Sequence, residues 1–191
     1  MDRIKGKSLL EKLDNYTVID LETTGVNIYK CSVIEMSAIR VRDNEVADTY
    51  SQLINPKKLL PNEIIKLTGI TDNMLVGMPT IENELETFIN FIGDDILLGH
   101  NLVSFDTNII YDLCLEHLKY QFSNDMVDTC RVAKNIDVDF KNSKLSTIAG
   151  YYNIENKNEH RGLSDCMTTH LCYQKMKEKA NYFKKSVKST N

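Results

Sequence analysis

Asp20 and Glu22 stand two apart in the run "VIDLETTG", Val18 to Gly25. The residues ahead of them, Tyr16-Thr17-Val18-Ile19, have the β-branched and aromatic composition of a packed strand, and a glycine-containing turn follows. Side chains two apart on a strand share a face. Two carboxylates placed that way repel each other unless water or a cation lies between them, so the pair is either solvated or holds metal. A second Asp-x-Glu, Asp43-Asn44-Glu45, sits between the alternating stretches "SVIEMSAIRVR" and "VADTYSQLIN" and reads as a hairpin turn in water. The motif alone therefore does not choose between the two readings.

Two more acids stand near expected helix starts. Asp106 follows "GHNLVSF", and Asp165 comes five residues after His160. Singly, each has an ordinary explanation in capping and the helix dipole. Together with Asp20, Glu22 and His160 they form a combination that chance does not readily assemble.

The elements that must position these residues follow from pattern. A strand ends at Asp20 and Glu22, and two antiparallel strands flank the Asp43 to Glu45 turn. "PNEIIKLTGI" predicts a short helix between Pro61 and Gly69, and "TIENELETFINFIG" a longer one capped by Thr80 with Leu85, Phe88, Ile89 and Ile92 on one face. "DDILLGHN" predicts a buried strand, Asp106 to Leu118 a helix, and "NDMVDTCRVAKNI" a short strand entering a helix. "KLSTIAGYYNI" and "LSDCMTTHLCYQKMKEK" predict two more helices joined by the polar loop "ENKNEHRG". Strands first, then helices alternating with strands, imply an α/β fold with a mixed sheet flanked by helices.

Composition is consistent with this. A chain of 191 residues, 42% hydrophobic, suits one domain with a proper core. No run of about 18 apolar residues exists, and the charged N-terminus lacks the core of a signal peptide, so the expected location is cytoplasmic, with no membrane partner. Five cysteines without a C-x-x-C pair argue against a disulfide framework and a zinc site. The net charge of −4 is unusual for a nucleic-acid partner. An enzyme that grips only a strand end needs few phosphate contacts, however, and bound cations offset the carboxylates that hold them. The lysine-rich C-terminal segment reads first as a solvated helix end and tail.

"VIDLETTG", "GHNLVSFD" and "HRGLSD", in that order, together with "LTGIT" at Leu67 to Thr71, resemble the motifs of the DEDDh branch of the DnaQ-like 3′ to 5′ exonucleases. The likeness runs from about Tyr16 to Met176. It implies a ribonuclease H-like fold, two Mg²⁺ or Mn²⁺ ions on Asp20, Glu22, Asp106 and Asp165, and His160 as general base. It further implies substrate contacts through Thr23, Thr24, Gly25, Val26, Leu67, Thr68, His100 and Asn101. The second motif is one residue longer between His100 and Asp106 than its commoner form. The expected layout is an N-terminal extension at 1–15, the exonuclease domain at 16–179 and a basic tail at 180–191.

The implied substrate is the 3′ end of DNA, single-stranded, with a DNA polymerase as a partner and nucleoside 5′-monophosphates as products. RNA trimming on the same chemistry stays open, as does an inactive binding module, although a scaffold has no need to hold four carboxylates together. Other residues read structurally: Glu35 as a hydrogen-bonding acid within a strand, Phe105 as core, His117 and His170 as ordinary surface or boundary helix residues.

Overall fold

In the computed structural model, which describes residues 3, 5–136, 138–156 and 158–179, six strands form one sheet. They are β1 (Ser8–Leu9), β2 (Tyr16–Thr23), β3 (Val33–Arg42), β4 (Glu45–Leu53), β5 (Leu97–Gly99) and β6 (Met126–Asp128), in the order β1-β6-β5-β2-β3-β4. The helices are α1 (Asn62–Thr68), α2 (Asp72–Leu75), α3 (Ile81–Ile92), α4 (Asp106–Leu113), α5 (Thr129–Ala133), α6 (Leu145–Tyr151) and α7 (Gly162–Glu178). A π-helical turn, Cys114–Leu118, prolongs α4. The basic segment expected at 180–191 lies outside the described residues.

The sheet is mixed, as expected: β2, β3 and β4 are antiparallel, whereas β5 runs parallel to β2, β6 to β5, and β1 to β6. Asp43 and Asn44 both take positive φ, 51° and 68°, which turns β3 tightly into β4. Gly69, at φ 70°, ends α1 after Pro61 starts it. Thr80 occupies the N-cap position of α3, but its side chain makes no cap hydrogen bond, contrary to expectation. Within the stretch read as an N-terminal extension, Ser8 and Leu9 form an edge strand paired to Met126 and Val127, and Leu13 lies in the core.

The central strand is covered on both faces, and its alternation decides where the acids point. Tyr16 and Val18 pack with Ile39, Val127, Val132, Ile148 and Tyr173, so α5, α6 and α7 lie over that face. Ile19 and Leu21 pack with Met36, Leu85, Phe88 and Ile110, so α3 and α4 lie over the other. Asp20 and Glu22 continue the row of Tyr16 and Val18 and therefore face α7. Phe88 is fully buried in the second core, and truncating such a side chain costs about 3 to 5 kcal/mol. His170, expected near the surface, is buried on α7, with Nδ1 2.9 Å from the Tyr16 hydroxyl. One face of a long helix packed on a sheet has no room for solvent there.

Candidate active site

Three elements bring the acids together. Asp20 and Glu22 leave β2 next to a register shift between Glu22 and Thr23, where the strand departs from regular pairing with β3. Asp106 opens α4, and its Oδ1 accepts the Leu21 backbone N–H at 3.1 Å, tying the helix start to the strand between the first two acids. Asp165 lies in the first turn of α7, where Oδ2 accepts the His160 N–H at 2.9 Å and Oδ1 accepts Asn156 Nδ2 at 2.6 Å. Ligand atoms of Glu22, His160 and Asp165 all lie within 4.8 Å of one another.

The loop that carries His160 is held by an acid outside this set. Glu35, 2% exposed, accepts Arg161 Nε at 3.3 Å and the Gly162 N–H at 3.2 Å through Oε2, while Oε1 accepts Arg161 at 3.2 Å. Its reading as a structural hydrogen-bonding residue stands, and its partners give it a purpose: they fix the residues just after His160. His160 itself sits at φ 63°, a left-handed conformation that a non-glycine residue adopts only when its surroundings impose it. Gly162 is required by proximity, since a Cβ there would meet Ser37 Oγ at 2.4 Å.

Packing like charges under cover has a direct electrostatic result. Burial, then the neighbouring charges of Asp106, Glu22 and Asp165, holds the Asp20 carboxyl well above the usual carboxylate range. Burial, reinforced by Asp165, Glu35 and Asp106, pushes Glu22 up to about 8. Burial pushes Asp106 up to about 7, against the backbone N–H groups that favour its charged form. Asp165 is raised by burial, with Asn156 and the His160 N–H opposing. Such a cluster cannot ionise fully unless cations join it, and its hard oxygen donors fit Mg²⁺ or Mn²⁺.

The remaining expected site residues divide. Thr23 donates to the Gly25 carbonyl at 2.8 Å and Thr24 Oγ1 accepts the Ser32 N–H at 2.9 Å, which pins the turn and leaves Val26 91% exposed. Leu67 is 50% exposed at the end of α1, but Thr68 is buried, its hydroxyl donating to Ile64 and accepting from Ile70. His100 is enclosed. The Thr129 hydroxyl donates to the Gly99 carbonyl at 3.0 Å and so accepts from His100 Nδ1 at 2.9 Å, turning Nε2 to the Cys130 sulfur at 3.2 Å. Burial lowers the His100 pKa, which favours the neutral ring. Phe105 is partly buried against the core of α3 and α4.

The lengthened second motif is accommodated by a residue that sequence reading passed over. Asp128, buried at the end of β6, accepts the N–H groups of Asn101, Val103 and Cys130 at 3.1, 3.1 and 2.9 Å. Asn101 takes φ 62° and stays exposed. An aspartate ending a buried strand in "MVDT" was the available signal, of the same kind as Asp20 in "VID". Asn156 had no such signal, because it reaches Asp165 from an irregular loop. Beside the acids opens a cavity of about 610 Å³, lined by Asp20, His160 and Asp165 together with His100, Asn101, Cys130, Lys134 and Lys144.

Comparison with known proteins identifies the family and the fold. The RNase T exonuclease family model matches residues 17–173. The chain is 36% identical over 163 residues to the DNA polymerase III subunit epsilon of Aquifex aeolicus, covering 85% of this chain and 80% of that one. It is 37% identical over 171 residues to the PolC-type DNA polymerase III of Bacillus subtilis, covering 88% of this chain but only 12% of that protein. A structure of exonuclease I superposes with a TM-score of 0.77 at 17% identity, over 92% of this chain and 43% of that one. Exonuclease X in complex with 5′-overhanging duplex DNA superposes at 0.69 and 19% identity, over 87% and 93%. The fold is that of these ribonuclease H-like nucleases. With its acids assembled on that fold and its sequence matched along most of its length, the chain belongs to the RNase T/DnaQ-like family of DEDD 3′ to 5′ exonucleases, hydrolases of phosphodiester bonds.

Proposed function

We propose that this protein removes nucleoside 5′-monophosphates from the 3′ end of DNA, with Asp20, Glu22, Asp106 and Asp165 holding two Mg²⁺ or Mn²⁺ ions and His160 acting as general base. The observation that carries the reading is the convergence of four carboxylates from β2, α4 and α7 beside one histidine. When bound, the cations supply charge neutralisation on both sides of the in-line displacement. His160 takes a proton from the attacking water as its oxygen bonds to phosphorus, and the bond from phosphorus to the 3′ oxygen of the penultimate nucleotide breaks. Glu35, through Arg161 and Gly162, keeps the His160 loop against the sheet. The terminal nucleotide rests on the Thr23 to Val26 turn and exposed Leu67.

DNA is favoured because the relatives are named as parts of DNA polymerase III, and structures of exonuclease I hold dT13 and dA16 oligonucleotides. The same relatives support a DNA polymerase partner and a proofreading role for this chain. In the PolC-type proteins the matching stretch is about an eighth of a polymerase chain. The test offers 5′-labelled single-stranded, duplex and mismatched-end DNA, and RNA, to the protein with Mn²⁺. A ladder shortening from the 3′ end of DNA is expected, with circular single strands left uncut. Cleavage of circles, or a preference for RNA, would overturn the reading.

A further inference from the structure

The stretch from His100 to Asp106 leaves the sheet at the end of β5 and, with its extra residue, must still deliver Asp106 to the acids. Both backbone polar groups of its middle residue, Val103, are held by side chains from elsewhere in the chain. The N–H donates to Asp128 Oδ2 at 3.1 Å, and the carbonyl accepts Lys5 Nζ at 2.8 Å. The same ammonium donates to Asn108 Oδ1 at 2.8 Å, and Asn108 Nδ2 donates to the Ser104 carbonyl at 2.8 Å. We propose that Lys5 is a positioning residue for Asp106, acting through Val103 and Asn108 to hold the lengthened loop in the shape that places the carboxylate for its cation. The inference rests on the proposed function, in which Asp106 is a metal ligand, and deepens it.

Lys5 reaches Val103 because the segment that carries it is fixed on both sides. Gly6 passes so close to the residues before β6 that a Cβ would meet the Asn124 carbonyl oxygen at 2.1 Å. The Lys7 N–H donates to Asp125 Oδ1 at 2.6 Å, and its carbonyl accepts the Met126 N–H at 2.8 Å. Before Lys5, Arg3 forms a bidentate pair with Asp112, at 2.8 and 2.6 Å, one helical turn beyond Asn108 on α4. The guanidinium also lies 5.3 Å from the centre of the Tyr29 ring. The two groups that hold Val103 therefore hang from neighbouring strands, since Asp128 ends β6 and Lys5 precedes β1, which pairs with it.

Anchoring the N-terminal segment does not require Lys5, because the Arg3 pair and the β1 pairing already do so. What the lysine adds is a charge-assisted hydrogen bond, stronger than a neutral one, on the carbonyl three residues before Asp106. Its ammonium is half-buried, a placement that is tolerated where acceptors meet the charge. Without Lys5, the Val103 carbonyl keeps only Thr107 Oγ1 at 3.4 Å and Asn108 Nδ2 at 3.5 Å, both at the long limit of hydrogen bonding. The loop then loosens within one turn of the carboxylate it delivers.

Mn²⁺ binding to the metal-free full chain, followed by calorimetry, tests the role. Lys5→Met keeps the stem and removes the donor, and it should weaken Mn²⁺ binding by about tenfold, the scale of losing a group that orients a metal ligand. The Mn²⁺ concentration for half-maximal turnover on 5′-labelled oligothymidylate should rise by the same factor, with KM for the strand at saturating Mn²⁺ unchanged. Amide hydrogen exchange across 100–108 should quicken in the metal-free variant. Lys5→Arg should restore all three. The control is Arg131→Gln, which frees the same edge strand by removing the bonds from Arg131 to the Ser8 carbonyl and hydroxyl at 2.6 and 2.8 Å but touches nothing in the loop. Its Mn²⁺ affinity should be native. Native affinity in Lys5→Met, or an equal loss in Lys5→Met and Arg131→Gln, overturns the positioning role. Should Lys5→Met fail to fold, Lys5→Gln takes its place under the same outcomes. A wild-type protein that binds no Mn²⁺ overturns the proposed function itself, which is a distinct result.

Discussion

The chain spells Asp-x-Glu twice, and the two copies have opposite fates. Asp43, in the turn between β3 and β4, and Glu45, which opens β4, are both exposed, and water solvates each charge. Asp20 and Glu22 project beneath the start of α7, where Asp106 and Asp165 join them and burial lifts their pKa values. Residue type and spacing are the same. The difference lies in what the rest of the chain packs over them, and it converts a pair of ordinary surface acids into a site that needs cations to ionise fully.

The sharpest way to break the comparison is to neutralise one acid in each copy. Asp20→Asn should reduce 3′ exonuclease turnover by ~10³-fold or more, on the scale of losing a group that acts chiefly in the transition state. Asp43→Asn should leave turnover within about twofold, as expected of a solvated surface change. Comparable losses in both variants would remove the distinction drawn here. His160→Ala should lower turnover by roughly 10²- to 10⁴-fold while Mn²⁺ affinity, followed by calorimetry, changes little. A parallel collapse of Mn²⁺ affinity would reassign the ring as a ligand, a role its distance from Glu22 and Asp165 permits.

Thermal unfolding sharpens the contrast further. Mn²⁺ at about 100 times its dissociation constant should stabilise the wild type and Asp43→Asn by about 2.7 kcal/mol and do little for Asp20→Asn. Equal stabilisation of all three would place the ions elsewhere. A further effect concerns pH in the presence of chelator. Glu22 and Asp106 are pushed up to about 8 and about 7 in the folded chain, whereas carboxylates in an unfolded chain titrate near about 4. The folded state then binds more protons, so unfolding free energy should fall as pH rises from about 4 to about 8. Asp20→Asn should flatten that decline, because it removes one of the charges that raise Glu22 and one of the acids that titrate. A stability that climbs over this interval would contradict the assignment.

Comparing expectation with structure shows which signals carry across. The hairpin at Asp43 and Asn44, the helix bounded by Pro61 and Gly69, and the buried face of α3 were legible because turn chemistry and periodicity act locally. The edge strand at Ser8 and Leu9 was not, since two residues carry no period and the pairing with β6 is remote in sequence. The burial of His170 was likewise hidden, because the last helix shows no clear apolar stripe and is covered by the sheet through much of its length.

By itself, the sequence determined the local elements and the identity of the acids, and three motifs in order sufficed to indicate the family. Tertiary structure alone decided that Asp20 and Glu22 face α7, that Asp128 would anchor the loop leading to Asp106, and that Glu35 would hold Arg161 and Gly162. It also decided that one cavity would join the acids to Lys134 and Lys144. The physical reason is range. Propensity, capping and alternation are properties of neighbouring residues, whereas desolvation and charge repulsion depend on which distant segments the packed core brings within a few ångströms.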